Sequence, residues 1–460
     1  MKKKLLFIFL SIFTLFSISS CSQRMTLLFL NWGEYIDESL LDAFEEKYNC
    51  NVLMDLGESN EIFYSKVFAG TTVYDVVCPS DYMVMKMYKK NLIRKIDFSK
   101  IDNYDPNENI REGINSIRQD MIEGTNSDIV DYYVPYLWGT WGIMYSTEVE
   151  GLEQAVTKND NQWASLFDRK SIPANTRVAM YDSHQHAYYA ACRYLGLDPS
   201  IELPQSKLDQ IRELVYNMKF EAWGTDNIKK EIVGNEDGRN LDLGFMWTGD
   251  FLYYYAEQAA TVVSNAYKKG DITEDDFIPM LDAITDSNVR KYKGYEIGFD
   301  IFIPDDTIAF CDNLVITKDS SPEKEELVYN FINFMCSEDS KIDESLEGEE
   351  DSDDNHVYPA NSNTQFVCYD SPFNTIYTEI LELKDLEDTI TLFTDEEACE
   401  ALKNTKEIGD TDLFGAFYNY AISIAFDKYY PRNGKKGSIL GCFDRKYVNL
   451  INNTFNNARV

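Results

Sequence analysis

The sequence predicts an α/β fold of two lobes or domains, and three observations carry that reading. Strand-like and helix-like segments alternate β-α-β-α-β from the head of the chain, the order of a mostly parallel sheet. A second β/α series follows an extended aromatic stretch near the middle. The 460 residues, 44% hydrophobic and 14% aromatic, suffice for a large core divided between two units.

In chain order, Thr26 to Asn31 reads as a buried strand leading into Asn31-Trp32-Gly33-Glu34-Tyr35. Open α/β sheets bind ligands where such strands end, so aromatics bracketing a carboxylate there suit a site; they equally suit a capped core. Asp37 can cap a helix carrying Leu40, Leu41, Phe44 and Tyr48 at helical spacing. Asn51 to Leu56 is the next strand, Glu61 to Phe68 a helix, Val73 to Val77 a strand and Tyr82 to Lys90 a helix. Tyr133 to Gly139 is aromatic and extended, and Pro135 argues against a central ladder position. The second series comprises a strand at Val178 to Tyr181, helices at Gln185 to Leu195 and Lys207 to Met218, and a strand at Leu241 to Trp247. Asn313 to Thr317 is a short strand, and Ser321-Pro322 opens a helix with stripe Leu327, Val328, Phe331, Ile332 and Met335. Ala259 to Phe299 and the acidic Ser337 to Asn355 read as surface insertions, the latter as a solvated loop.

The head of the chain reads as a targeting segment. Lys2, Lys3 and Lys4 precede an apolar run from Leu5 to Ile18, too short to span a bilayer comfortably. Ile18-Ser19-Ser20-Cys21 resembles a lipobox, so residues 1–20 are expected to be a lipoprotein-type signal peptide and Cys21 the lipidated N-terminus. Losing three lysines takes the formal charge from -35 to -38. Such acidity argues against nucleic acid and against a basic face on anionic lipid. The body is expected outside the cytoplasm, lipid-anchored to the cell membrane, in a periplasmic space or on the outer face.

The residues carry no catalytic signature: no G-x-S-x-G elbow and no Walker sequence. Eight further cysteines lie scattered without a C-x-x-C pair, and His184-x-His186 lacks a matching partner nearby, so neither a metal nor a cofactor is expected. What remains is a set of aromatics and acids near strand ends: Trp32, Tyr35, Tyr82, Trp138, Trp247, Asp250, Phe310 and Asp312. Aromatic faces attract ammonium groups and sandwich methylene chains, while carboxylates hold ammonium ends. The set suits a flexible organic cation.

Several segments resemble, in order, the spermidine/putrescine-binding proteins of polyamine ABC importers. They are Asn31-Trp32-Gly33-Glu34-Tyr35-Ile36-Asp37, Glu58-Ser59-Asn60-Glu61 with Tyr64-Ser65-Lys66, Tyr74-Asp75-Val76-Val77-Cys78-Pro79-Ser80-Asp81-Tyr82-Met83, and Val134-Pro135-Tyr136-Leu137-Trp138-Gly139-Thr140. Weaker matches are Tyr181-Asp182-Ser183, Met246-Trp247-Thr248-Gly249-Asp250, Phe310-Cys311-Asp312 and Tyr358-Pro359-Ala360-Asn361. The resemblance implies a type II periplasmic-binding fold, with an N-lobe of 26–135 plus 311–358 and a C-lobe of 136–310 plus 359–460. Crossover strands join the lobes and the ligand lies in the cleft. It implies a non-enzymatic receptor that captures putrescine or spermidine, closes about its hinge and delivers the ligand to a membrane permease, acting as a monomer. Trp32, Tyr35, Tyr82 and Trp247 are implied to line an aromatic channel and Tyr358 to close it. Ser80 is implied to hydrogen bond the ligand and Asp312 to hold one amino group; Ser183 and His186 stand at the far end. Two departures matter: His186 stands where the family usually has an acid, and Phe310 where it usually has Trp. Asp182 or Asp250 are the residues available to compensate. The alternatives are a same-fold receptor for another small cation or a metal, a secreted hydrolase, and a surface lipoprotein without transport.

Overall fold

Two hydrophobic strands near the head begin the sheet. β1 (Thr26–Asn31) and β2 (Asn51–Leu56) pair in parallel, Thr26 opposite Asn51 and Asn31 opposite Leu56. β3 (Val76–Val77) joins the other side of β1, also in parallel. The helices Ser39–Tyr48 and Asn60–Ala69 are the crossovers between them, the second capped by Ser59 Oγ accepting from Ile62 N. The computed structural model describes residues 24–234, 238–346, 352–430 and 437–459. The signal segment and Cys21 lie outside the described residues.

The remaining strands are β4 (Val134–Ser146), β5 (Val178–Tyr181), β6 (Ala222–Gly224), β7 (Leu243–Trp247), β8 (Phe299–Phe302) and β9 (Ala309–Ile316). They extend the sheet to the order β2-β1-β3-β9-β4-β7-β5-β6, with β8 also on β4. β1, β2 and β3 form one parallel set, and β5, β6 and β7 another. β4 and β9 link the two sets by antiparallel pairing. The first half of β4 pairs with β9, and its second half with β7 and β8. One 13-residue strand, buried along its whole length, therefore runs between the two halves of the molecule.

Three expectations from sequence fail here. Pro135 does sit in this central strand, opposite Asn313; the register shifts between Pro135 and Leu137, an irregularity that absorbs the missing N–H donor. Ala259 to Phe299 is not a surface insertion. It begins inside the helix Thr248–Lys269, which buries Ala259, Ala260, Val262, Val263, Ala266 and Tyr267 against the helix Asp412–Tyr429. Its charges flank the stripe and hide its small apolar residues. β9 also starts four residues earlier than the expected strand, which puts Phe310 and Asp312 on the ladder. The base of the acidic loop is ordered by Ser340 and Lys341 pairing with Val357 and His356. The rest of that acidic run, 347–351, lies outside the described residues.

Where the halves join, Arg111 and Asp370 form an ion pair whose side chains are only 2% and 0% exposed. Arg111 Nε and Nη2 both reach Asp370 Oδ2 at 2.9 Å, and Nη2 also donates to Tyr430 O. The guanidinium lies 3.5 Å from the Tyr377 ring centroid. Asp370 and Trp138 exchange backbone hydrogen bonds, fastening this pair to β4. Gly113 is required there, because a Cβ would meet the Trp138 ring at 2.5 Å.

Candidate functional site

β1 and β3 run opposite to β5 and β7, so the ends of the two sets converge on the middle of β4, and the residues that follow them meet where α/β sheets take ligands. After β1, Glu34 adopts a left-handed conformation (φ 52°) that turns the chain and leaves Trp32 and Tyr35 on either side. Trp32 is pinned by Nε1 donating to Cys78 O at 2.9 Å, with its ring 4.5 Å from Phe63. After β3, Ser80 precedes the helix Asp81–Lys89 and bridges to Asp312 on β9. Phe310 and Asp312 are two apart on that strand and share a face.

Asp312 is the electrostatic centre. Ser80 Oγ donates to its Oδ1 at 2.5 Å and Tyr35 Oη to its Oδ2 at 2.7 Å. It is 5% exposed, and among the described residues no Lys, Arg or His forms an ion pair with it. Burial pushes its carboxyl up to about 6, against the opposing effect of the two hydroxyl bonds. Asn60 holds Ser80 by donating to its Oγ at 2.9 Å and accepting from its N at 3.0 Å. Asp81 makes no bond to this centre: it accepts from Cys311 N and Tyr82 N, and burial raises its carboxyl to about 8, with the Asp312 charge adding to the shift.

From Asp312 a series of rings runs across the molecule. Tyr35 lies 5.6 Å from Tyr369, Tyr369 5.7 Å from Phe310, and Phe310 4.4 Å from Trp247. Trp247 lies 4.1 Å from Trp141, which lies 4.3 Å from His186, with Tyr181 packed beside them. Gly139, opposite Phe310 on β4, makes room: a Cβ there would stand about 3 Å from both Phe310 and Tyr369. Phe310→Trp would thus insert a larger ring into a filled space. It should destabilise the fold by about 1–3 kcal/mol, read as a lowered urea midpoint.

The far end is uncharged. His186 Nδ1 shares a 2.6 Å hydrogen bond with Ser183 Oγ. The residue is partly exposed, but burial depresses the imidazole pKa to about 3, so it is neutral at physiological pH. The two acids nearby already have cations of this chain: Asp182 pairs with Arg459, and Asp250 with Lys229 at 3.2 Å. Tyr82 is buried and reaches Glu61 Oε1 at 3.4 Å.

The structure therefore brings together Tyr35, Ser80, Asp312, Phe310, Trp247, Ser183 and His186 through direct contacts, with Trp32 and Tyr82 anchored on the first half of the molecule. Tyr358 stands apart: it is 48% exposed, precedes the helix Pro359–Val367, and makes no ring contact with this series among the described residues. Tyr369, eleven residues on, supplies a ring between Tyr35 and Phe310 instead. Sequence reasoning missed Tyr369, Trp141, Tyr181 and Glu61. Trp141 stands beside Gly139 in the aromatic run of β4, the signal that was available for it. His184 is turned elsewhere, its ring stacked 5.6 Å from Phe455, and no cluster of three or more potential metal ligands occurs among the described residues.

Fold and site together define a two-lobed α/β architecture in which Asp312, buried among aromatic rings, has no cationic partner among the described residues. Solved structures share the fold. The spermidine/putrescine ABC transporter substrate-binding protein PotD from Streptococcus pneumoniae matches 95% of this chain and 98% of its own, with a TM-score of 0.54 and 21% identity. The Tp0655 lipoprotein of Treponema pallidum matches 94% and 99%, with a TM-score of 0.55 and 19% identity. In sequence, the chain is similar to the spermidine/putrescine-binding periplasmic protein of Salmonella typhimurium, 27% identical over 257 residues. That match covers 55% of this chain and 66% of the relative, just under two thirds of its length. A putrescine/cadaverine-binding protein of Pseudomonas aeruginosa is 25% identical over 315 residues, 67% of this chain and 74% of that one. Residues 1–185 match the model of a family described as hypothetical lipoprotein (MG045 family). The chain thus has the type II periplasmic-binding fold and resembles polyamine-binding proteins in sequence.

Proposed function

We propose that this chain is an extracytoplasmic, lipid-anchored solute receptor that captures a polyamine of the putrescine/spermidine class and presents it to an ABC importer by hinge closure. The observation that carries the reading is Asp312: a buried carboxylate, held by two hydroxyl donors and beside a series of aromatic rings, with no cation of its own among the described residues. An ammonium group satisfies that carboxylate, and the rings suit the methylenes that follow. The lobes are 26–135 plus 311–358 and 136–310 plus 359–460, with β4 and β9 as the crossing strands. Closing them around the ligand stabilises the form that a permease recognises. The relatives' names support the substrate class, and the lipoprotein family match supports anchoring through Cys21. Among the described residues no helix is long and apolar enough to cross a membrane. The neutral His186 end supports a second reading, the same fold serving a different small cation.

Titration calorimetry of the mature body without Cys21, against putrescine, spermidine and spermine, tests the assignment. Micromolar or tighter binding to one of them is the expected result; folded protein giving no heat with any would sink the polyamine reading. The pH dependence is a second check. The ligand needs Asp312 ionised, and that carboxyl is held near 6. Affinity should be level at about pH 7–8 and fall toward tenfold per unit below about pH 6, because proton and ammonium compete for one carboxylate. A dissociation constant unchanged down to pH 5 removes Asp312 from the ligand's contacts.

A further inference from the structure

Among the described residues, the two acids near the far end on the second half of the molecule, Asp182 and Asp250, already pair with cations, yet a diamine carries a second ammonium. One carboxylate meets that end from the opposite side. Glu61 is the second residue of the helix Asn60–Ala69, and its Oε1 accepts from Tyr82 Oη at 3.4 Å and from Gln185 Nε2 at 3.3 Å. Gln185 lies on the helix His184–Tyr194, next to His186, so this hydrogen bond crosses between the two halves. Among the described residues Glu61 has no cationic partner, and its Oε2 accepts no hydrogen bond. Asp182 and Asp250, by contrast, are neutralised by Arg459 and Lys229.

We infer that Glu61 is the second cation-reading residue: it holds the distal ammonium of a diamine from the N-lobe side, with Tyr82 as the wall and Gln185 as the contact across the cleft. The inference rests on the polyamine reading. Its geometry is coherent because both carboxylates hang from one frame. Asn60 holds Ser80, Ser80 donates to Asp312, and Glu61 and Tyr82 follow them by one and two residues. The spacing between the two carboxylates is therefore set within the first lobe and is independent of how far the lobes close. Gln185 meets Glu61 without any ligand, so its contact favours the closed form for every amine alike.

The test pairs putrescine with butylamine, which has the same carbon chain and one ammonium fewer. Glu61→Gln is exposed and nearly isosteric, and the fold should be unaffected. The expected result is a loss of about tenfold or more for putrescine with butylamine unchanged, because only the diamine makes the charge-assisted contact. Asp312→Asn should weaken both amines. Gln185→Ala separates reading from latching: it should weaken both amines modestly and equally. An unchanged putrescine-to-butylamine ratio in Glu61→Gln overturns the inference while leaving the polyamine reading intact. So does a Glu61→Gln phenotype identical to that of Gln185→Ala. If neither amine binds the wild-type protein, the polyamine reading fails and this inference with it.

Discussion

Asp312→Asn should abolish most of the affinity for a cationic ligand while making the empty protein more stable at alkaline pH. The substitution keeps the shape, and the Ser80 and Tyr35 hydroxyls can each donate or accept, so the local network survives. What disappears is a buried charge. Truncating one member of a buried, hydrogen-bonded charge pair costs about 2–5 kcal/mol, roughly 30-fold to several thousand-fold in the dissociation constant. The stability effect has the opposite sign. In the empty protein Asp312 is raised from the ordinary carboxylate range to about 6. A raised folded-state carboxyl contributes stability that is fully present below about pH 4 and is lost as pH rises through 6. An asparagine does not titrate. The variant should therefore exceed the wild type in urea midpoint at about pH 8, with the gap closing at about pH 4–5. Asp81, raised to about 8 by burial with the Asp312 charge adding to it, is lowered when that charge is removed, so its change widens the gap at alkaline pH in the same direction. A variant that binds polyamine normally would refute the site; one that shows no pH-dependent gap would refute the buried, unpaired carboxylate.

That centre was legible in the sequence, and the reason is physical. Trp32, Tyr35 and Ser80 are polar or amphipathic residues just after strands, and Asp312 is a charged residue inside one, positions where a packing role alone leaves hydrogen-bonding groups unused. The other end was harder to read. Trp141 is 0% exposed in a strand of aromatics, so nothing local separates a ring of the cleft from a core ring. Tyr369 follows the left-handed Cys368, and its place depends on contacts with Phe310, 59 residues away, and with Tyr35, 334 residues away. The helical character of the segment after Ala259 was masked for a different reason. Its buried face is built mostly from Ala and Val, with Ser264 and Tyr267, and that modest hydrophobic contrast disappears beside Lys268, Lys269 and the acids that follow. Pro135 was misjudged because a general rule about ladders met a local irregularity that only the register reveals. The fold class needed none of these details, since the β-α-β-α-β order and the strand-end motifs depend on short-range pattern.

Removing Arg111 should be the most damaging single change away from the cleft. Arg111→Ala leaves Asp370 as a buried carboxylate without its cation, a loss of about 3–5 kcal/mol for a broken buried pair. The site cannot relax toward water easily. Tyr377 lies flat against the guanidinium, Tyr430 O accepts from it, and Asp370 is tied to Trp138 through both backbone groups. Arg111→Lys should recover only part of the loss, because an ammonium cannot reproduce the two-nitrogen contact with Oδ2 or the flat packing on Tyr377. The double variant Arg111→Met with Asp370→Leu should recover most of it, since apolar replacements of similar size remove both desolvation costs together. Urea unfolding of the four proteins decides the matter: a double variant as unstable as Arg111→Ala would show that packing, not the unpaired charge, dominates. The pair also sits where residues before and after the crossing strand meet, so the variants bear on function. If the double variant regains stability but binds polyamine more weakly than the wild type, the ion pair's role is to fix the angle at which β4 leaves one lobe for the other. If it binds normally, the pair serves the fold alone and the hinge must be sought in the strand itself.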